Sequence, residues 1–123
     1  MSTLKVNNLQ TASGASNSTP EQIEQGRCKC WINFDGGAAS IRDSFNVSSL
    51  NDGGTGQYTV NFSTSLSSSN YSVTTAGGGG TGSLSDGCNV SNLTTSSFFS
   101  HWGNGGSQFD FGRCFFAVFG DGA

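Results

Sequence analysis

The chain has 123 residues, enough for one compact domain with a short appendage. Its net charge is −3 and only 11% of its residues are charged, so it lacks the basic footprint of a nucleic-acid binder. No apolar run approaches the roughly 18 residues of a membrane span, and the opening "MSTLKVNNLQ" lacks the apolar stretch of a signal peptide.

Leu, Ile, Val and Phe make up roughly a fifth of the sequence, near the border of disorder. Two features argue for a fold. The net charge is low, and the ten Phe lie in alternating patterns that a structureless chain has no reason to keep. The apolar material is still thin for a free-standing domain, and association of copies is a common remedy.

Residues 1 to 19 read as a polar arm, with "TLKVNNL" as one short strand and "TASGASNS" as a linker. "STPEQIEQG" predicts a helix of one or two turns. Ser18 or Thr19 suits the N-cap, Pro20 the first helical position and Gly26 the stop. So short a helix needs something to pack on. Residues 1 to 26 therefore form one unit, and the period changes to two from residue 27 to the end.

In "RCKCWINF" one face carries Cys28, Cys30, Ile32 and Phe34, and the other Lys29, Trp31 and Asn33. In "SIRDSFNV" Ile41, Phe45 and Val47 share a face with Asp43. "NDGGTG" is a reversal, after which "QYTVNFS" sets Tyr58, Val60 and Phe62 against Gln57, Thr59 and Asn61. "YSVTT" is a short strand, "AGGGGTGSLSDG" a long loop, and "CNVSNL" and "SSFFSHW" are weaker strands. The closing "FDFGRCFFAVFG", with Phe115 and Val118 in its core set, is apolar on both faces. That marks a central strand or one with a face against another subunit. About seven short strands separated by turns predict an all-β fold, an antiparallel sandwich or barrel-like domain over residues 27–123.

Signals for chemistry are sparse. His101 is the single histidine, and no G-x-S-x-G elbow accompanies it. Asp35, Asp52, Asp86 and Asp121 each adjoin a glycine, as turn chemistry requires. "GGGGTG" formally matches a dinucleotide fingerprint, but no helix start follows to hold a pyrophosphate. Cys28, Cys30, Cys88 and Cys114 lack the paired spacing of a zinc ribbon. They read as buried thiols or as cross-strand disulfide partners, with three pairings open. These features predict a protein that is no enzyme and carries no metal or cofactor. The best binding candidates are Trp102, His101 and Asn104, beside the "GNGG" turn, and the loop from Gly77 to Gly87.

The blocks "STPEQIEQGRCKCWINFDG", "IRDSFNVSSLNDGGTGQYTVNF", "NYSVTT" and "FAVFGD" resemble small tail-fibre or tail-tip proteins of bacteriophages, chiefly those of aquatic bacteria and cyanobacteria. The matching blocks cover roughly half the chain, and residues 76 to 108 contribute nothing to the likeness. The resemblance implies a homotrimeric virion component. Its residues 1–26 would serve attachment or trimerisation on other tail or baseplate proteins, and its β domain would face a host-surface polysaccharide. The alternative is a purely structural fibre, baseplate or capsid decoration protein without a receptor. Similar sequences carry Ala where this chain has Cys28 and Cys30, so the resemblance implies that smallness is what those positions require.

Overall fold

A computed structural model describes residues 1–78 and 86–122. The expected all-β antiparallel architecture forms, with one short helix among the described residues. The arm carries a two-residue pair, β1 (Leu9–Gln10) with β2 (Asn17–Ser18), so the segment expected as a linker closes a small hairpin. Thr11 and Gly14 turn it, and Gly14 takes φ +71°. Helix α1 (Pro20–Gly26) starts at Thr19, whose hydroxyl accepts from the Gln22 amide while the Gln22 side chain accepts from the Thr19 amide.

Nine further strands follow: β3 (Cys30–Asp35), β4 (Ser40–Phe45), β5 (Val47–Gly54), β6 (Gln57–Phe62), β7 (Ser72–Gly78), β8 (Asp86–Ser91), β9 (Ser97–Asn104), β10 (Ser107–Gln108) and β11 (Arg113–Phe119). One sheet has the order β4-β3-β11-β7. The other has the order β10-β9-β6-β5, with β8 also paired to β9. All the pairings are antiparallel.

The core lies between the two sheets. The first contributes Cys30, Ile32, Phe34, Cys114, Phe116 and Val118; the second contributes Tyr58, Val60, Phe62, Phe98 and Trp102. Edge-on aromatic contacts join them, with ring centroids 5.0 Å apart for both Phe34–Tyr58 and Phe98–Phe116. Val47 packs against this cluster from its flank.

Three expected core or surface placements are corrected. Phe45 was expected inward with Ile41 and Val47. It lies opposite Trp31 on the outer face of the first sheet and is 55% exposed. The reason is a corner: Asn46 takes φ +57°, so β4 and β5 are separate strands in different sheets. The Asn46 side chain fixes the corner. Its Nδ2 donates to the carbonyls of Lys29 (3.0 Å) and Thr64 (3.1 Å), and its Oδ1 accepts from the Thr64 amide (2.7 Å). Phe115 also faces outward, 38% exposed, because Cys114, Phe116 and Val118 take the inner positions of β11. β11 is nevertheless the central strand that its double-sided apolarity predicts, flanked by β3 and β7.

Lys29 was expected on the outer face with Trp31, yet it is only 5% exposed. Pleating begins only at Cys30, so Lys29 turns toward the helix. Its ammonium bonds the Glu24 carboxylate at 2.6 Å and also donates to the Glu24 carbonyl. Helix α1 buries no residue, so this polar tie, with the Gln25–Asp121 hydrogen bond, is what docks it. Cys28 is half-buried just outside the strand, its thiol donating to the Cys30 carbonyl at 3.1 Å.

At the opposite end from Asn46, the buried Tyr58 hydroxyl joins the two sheets. It donates toward the Gly36 carbonyl (2.9 Å) and Asp110 Oδ1 (2.7 Å), and the same Oδ1 accepts from the Gly56 amide at 2.6 Å. Burial, with Asp110 beside it, pushes the Tyr58 phenol well above its ordinary range, so the hydroxyl keeps its proton. Gly36 is required there, since a Cβ would lie 2.7 Å from both the Tyr58 hydroxyl and the Phe111 carbonyl.

Tyr58→Phe should cost about 1–3 kcal/mol of stability, because it leaves the buried Gly36 carbonyl without the hydroxyl as donor. Urea unfolding checks this, and an unchanged midpoint would refute the role given to the hydroxyl. The helix dock should also depend on pH. The hydrogen bond from Lys29 is the main cause holding the Glu24 carboxyl below its ordinary value of 4.5. The stabilisation is therefore present above that value and is lost as pH falls through the lower, folded-state value. Amide exchange in Ile23 to Arg27 should accelerate in that acid range before the β core opens. A simultaneous loss of both would contradict the assignment.

Candidate functional site

The second sheet has an outer face that the core does not use. On β9 the inner positions go to Phe98, Ser100 and Trp102, so the pleat sends Ser97, Phe99 and His101 outward. β6 presents Gln57, Thr59 and Asn61 to the same side, and β8 presents Asn89 and Ser91. Register assembles these into rows. Gln57 and Asn89 flank His101, while Thr59 and Ser91 flank Phe99. Asn51 of β5 extends the second row beyond Thr59.

The centre of this face is the Phe99–His101 pair. The rings meet edge to face at 4.6 Å and 89°, each half-buried. Neighbouring amides are partly pre-set: Gln57 Nε2 donates to Gln108 Oε1 at 3.2 Å, and Asn61 Nδ2 donates to Ser49 Oγ at 3.0 Å. None of the residues in these rows carries a formal charge with His neutral. A shallow hollow of about 370 Å³ opens beside His101, lined by Gly87, Asn89, Gly103, Gly105 and Ser107. Amides and hydroxyls both donate and accept, so the surface suits a neutral, hydroxyl-rich ligand that lies flat.

The structure divides the sequence candidates. His101 stands on the outer face as a binding residue can. Trp102 does not: it is 2% exposed and forms part of the core, with ring centroids 5.5 Å from Phe116 and 6.0 Å from Phe111. The alternation in "SSFFSHW" already requires this, since Trp102 follows Phe98 and Ser100 on one side. Asn104 closes β9, half-buried, opposite Asp86 and Ser107. Of the glycine-rich candidate loop, Gly77 and Gly78 belong to β7, Asp86 and Gly87 belong to β8, and residues 79–85 lie outside the described residues. Gly77 sits in a strand because Trp102 needs its space. A Cβ there would collide with the Arg113 carbonyl and lie 2.8 Å from the indole. Phe99, Gln57, Thr59 and Asn89, which surround His101 on this face, are not among the sequence candidates, although the same period-two pattern places Phe99 and His101 side by side.

The four thiols are unpaired. Burial pushes Cys30 and Cys114 up to about 12 and Cys88 up to about 11, so none of these three is a ready nucleophile at neutral pH. Among the described residues, no three His, Cys, Asp or Glu side chains gather as a metal site requires. No described helix is long and apolar enough to cross a membrane. Comparison with protein-family models, with curated proteins and with solved structures found no match.

In the native protein at pH 8, Cys30 and Cys114 should resist alkylation, and all four cysteines should react after denaturation. Mass spectrometry of the alkylated chain counts them. Fewer than four adducts in the denatured, unreduced protein would reveal a disulfide.

Proposed function

We propose that this chain is a virion subunit of a phage tail fibre or tail tip that adheres to a host-surface polysaccharide and does no bond-breaking chemistry. The observation that carries the binding part is the uncharged outer face of the second sheet, with the Phe99–His101 pair ringed by Gln57, Thr59, Asn89 and Ser91. A sugar ring offers apolar C–H groups to the aromatic edges and hydroxyls to the surrounding amides. Each contact is weak, and several copies on one tip add their effective concentrations. The virion placement rests on the sequence blocks that resemble tail proteins. On this reading residues 1–26 attach the protomer to other tail or baseplate proteins, the assembly is a homotrimer, and it is built in the host cytoplasm.

A polysaccharide array with the intact protein tests the adhesive reading. Phe99→Ala and His101→Ala should each weaken binding about tenfold or more, which corresponds to about 1.4 kcal/mol, with the thermal transition preserved. Absence of binding to any polysaccharide would leave a structural fibre or decoration protein in its place. Shortened polysaccharide chains after incubation would instead indicate a depolymerase.

A further inference from the structure

The hollow beside His101 lies at one end of the polar face. Along β9 it follows His101, and past it the strand ends at Asn104 and turns into β10. The hairpin makes its far wall, because the chain passes close over Gly103. A Cβ there would lie 2.5 Å from the Ser107 carbonyl. His101 and Asn89, side by side in register, make the near wall. At about 370 Å³ the hollow is near the small end of ligand pockets, which run from about 300 to 1,000 Å³.

Four described glycines line it, and three have a reason in the fold. Gly103 has the hairpin over it. Gly105 and Gly106 take φ +56° and +89°, as a tight two-residue turn between β9 and β10 requires. Gly87 has no such reason. It pairs with Gly103 within β8, and its φ lies outside the left-handed region. Glycine weakens a strand, and it is found there at a bulge, at a bend or where a ligand or another backbone comes close. The register from Asp86 to Ser91 runs without a bulge. A Cβ built on Gly87 would meet nothing within 4 Å, so no backbone of the chain approaches it. That Cβ would stand on the side of Asn89 and His101, in the hollow. Close approach of a ligand is the role left for this glycine. The ligand is uncharged, since no Lys or Arg lies in any strand of the second sheet to pair with a carboxylate, sulfate or phosphate.

We infer that the hollow over Gly87 is a subsite for one uncharged sugar unit at the end of a chain or branch. The unit lies against bare backbone, between the His101–Asn89 wall and the β9–β10 hairpin. The rest of the saccharide runs back over Phe99 and its row, because a chain continuing the other way would meet the hairpin. This rests on the adhesive reading above and adds which part of the ligand is recognised.

Gly87→Val in the full chain tests the inference. It fills the hollow and leaves Phe99 and His101 in place, and a β-branched side chain suits a strand. The thermal transition should hold or rise, while polysaccharide affinity falls about tenfold or more. In an NMR titration with neutral methyl glycosides, the His101 and Asn89 signals should move in the wild type and stay fixed in Gly87→Val. Unchanged affinity in Gly87→Val, with Phe99→Ala still weakened, would overturn the subsite and leave the adhesive reading standing. A Gly87→Val chain that melts earlier would give this glycine a role in the fold and overturn the subsite too. Polysaccharide binding with no response to any methyl glycoside would put a chain interior there in place of an end, against the inference. A wild type that binds no polysaccharide would remove the subsite together with the adhesive reading.

Discussion

A pleated strand sends alternate side chains to opposite faces, and both the core and the working surfaces of this molecule follow from that constraint. Each sheet spends one face on the shared interior. The interior claims Ile32 and Phe34, Tyr58 and Val60, Phe98 and Trp102, Cys114 and Phe116. What is left over is dictated residue by residue. The first sheet is left with Trp31, Phe45 and Phe115, and the second with Gln57, Thr59, Phe99 and His101. The two outer faces therefore differ, rings set among the exposed Asp43 and Arg113 on the first sheet and amides and hydroxyls set around Phe99 and His101 on the second. On the reading proposed above the polar face serves a saccharide.

Two polar ties hold the sheets in the register that makes this division possible. At one end Asn46 turns the chain from β4 into β5, with its side-chain amide holding Lys29 and Thr64. At the other end Tyr58 and Asp110 join β6 to the segments before β4 and β11. A chain with few apolar residues and many small polar ones uses such hydrogen bonds where a larger domain would use more core. The arm and helix are attached the same way, through Lys29 and Glu24, with no buried apolar residue in the helix. That mode of attachment leaves Leu4, Leu9 and Ile23 uncovered.

The fold class was legible because its signal is local. Period two in "CWINF" and "QYTVNF" needs no tertiary knowledge, and the cap at Thr19 is written in the three residues that follow it. What escaped depended on contacts far apart in sequence. Phe45 and Val47 read as one face until Asn46 adopts a left-handed conformation, which its side-chain partners Lys29 and Thr64 stabilise. Ala76 to Gly78 read as loop because glycine is a poor strand former, and only Trp102, packed over Gly77, makes glycine necessary there. Lys29 read as exposed because Glu24 lies across a helix terminus from it. The sequence pairs Trp102 with His101 as a binding candidate by adjacency, whereas the pleat sends them to opposite faces.

The central claim is that the outer face of the second sheet, and not that of the first, is the ligand surface. Radical footprinting of the intact protein, with and without a bound polysaccharide, tests it most directly. Trp31, Phe45 and Phe115 should label to the same extent with and without the polysaccharide. Phe99 and His101 should become protected only when the polysaccharide is present. Ligand protection falling on the first sheet, or none on Phe99 and His101, would contradict the claim.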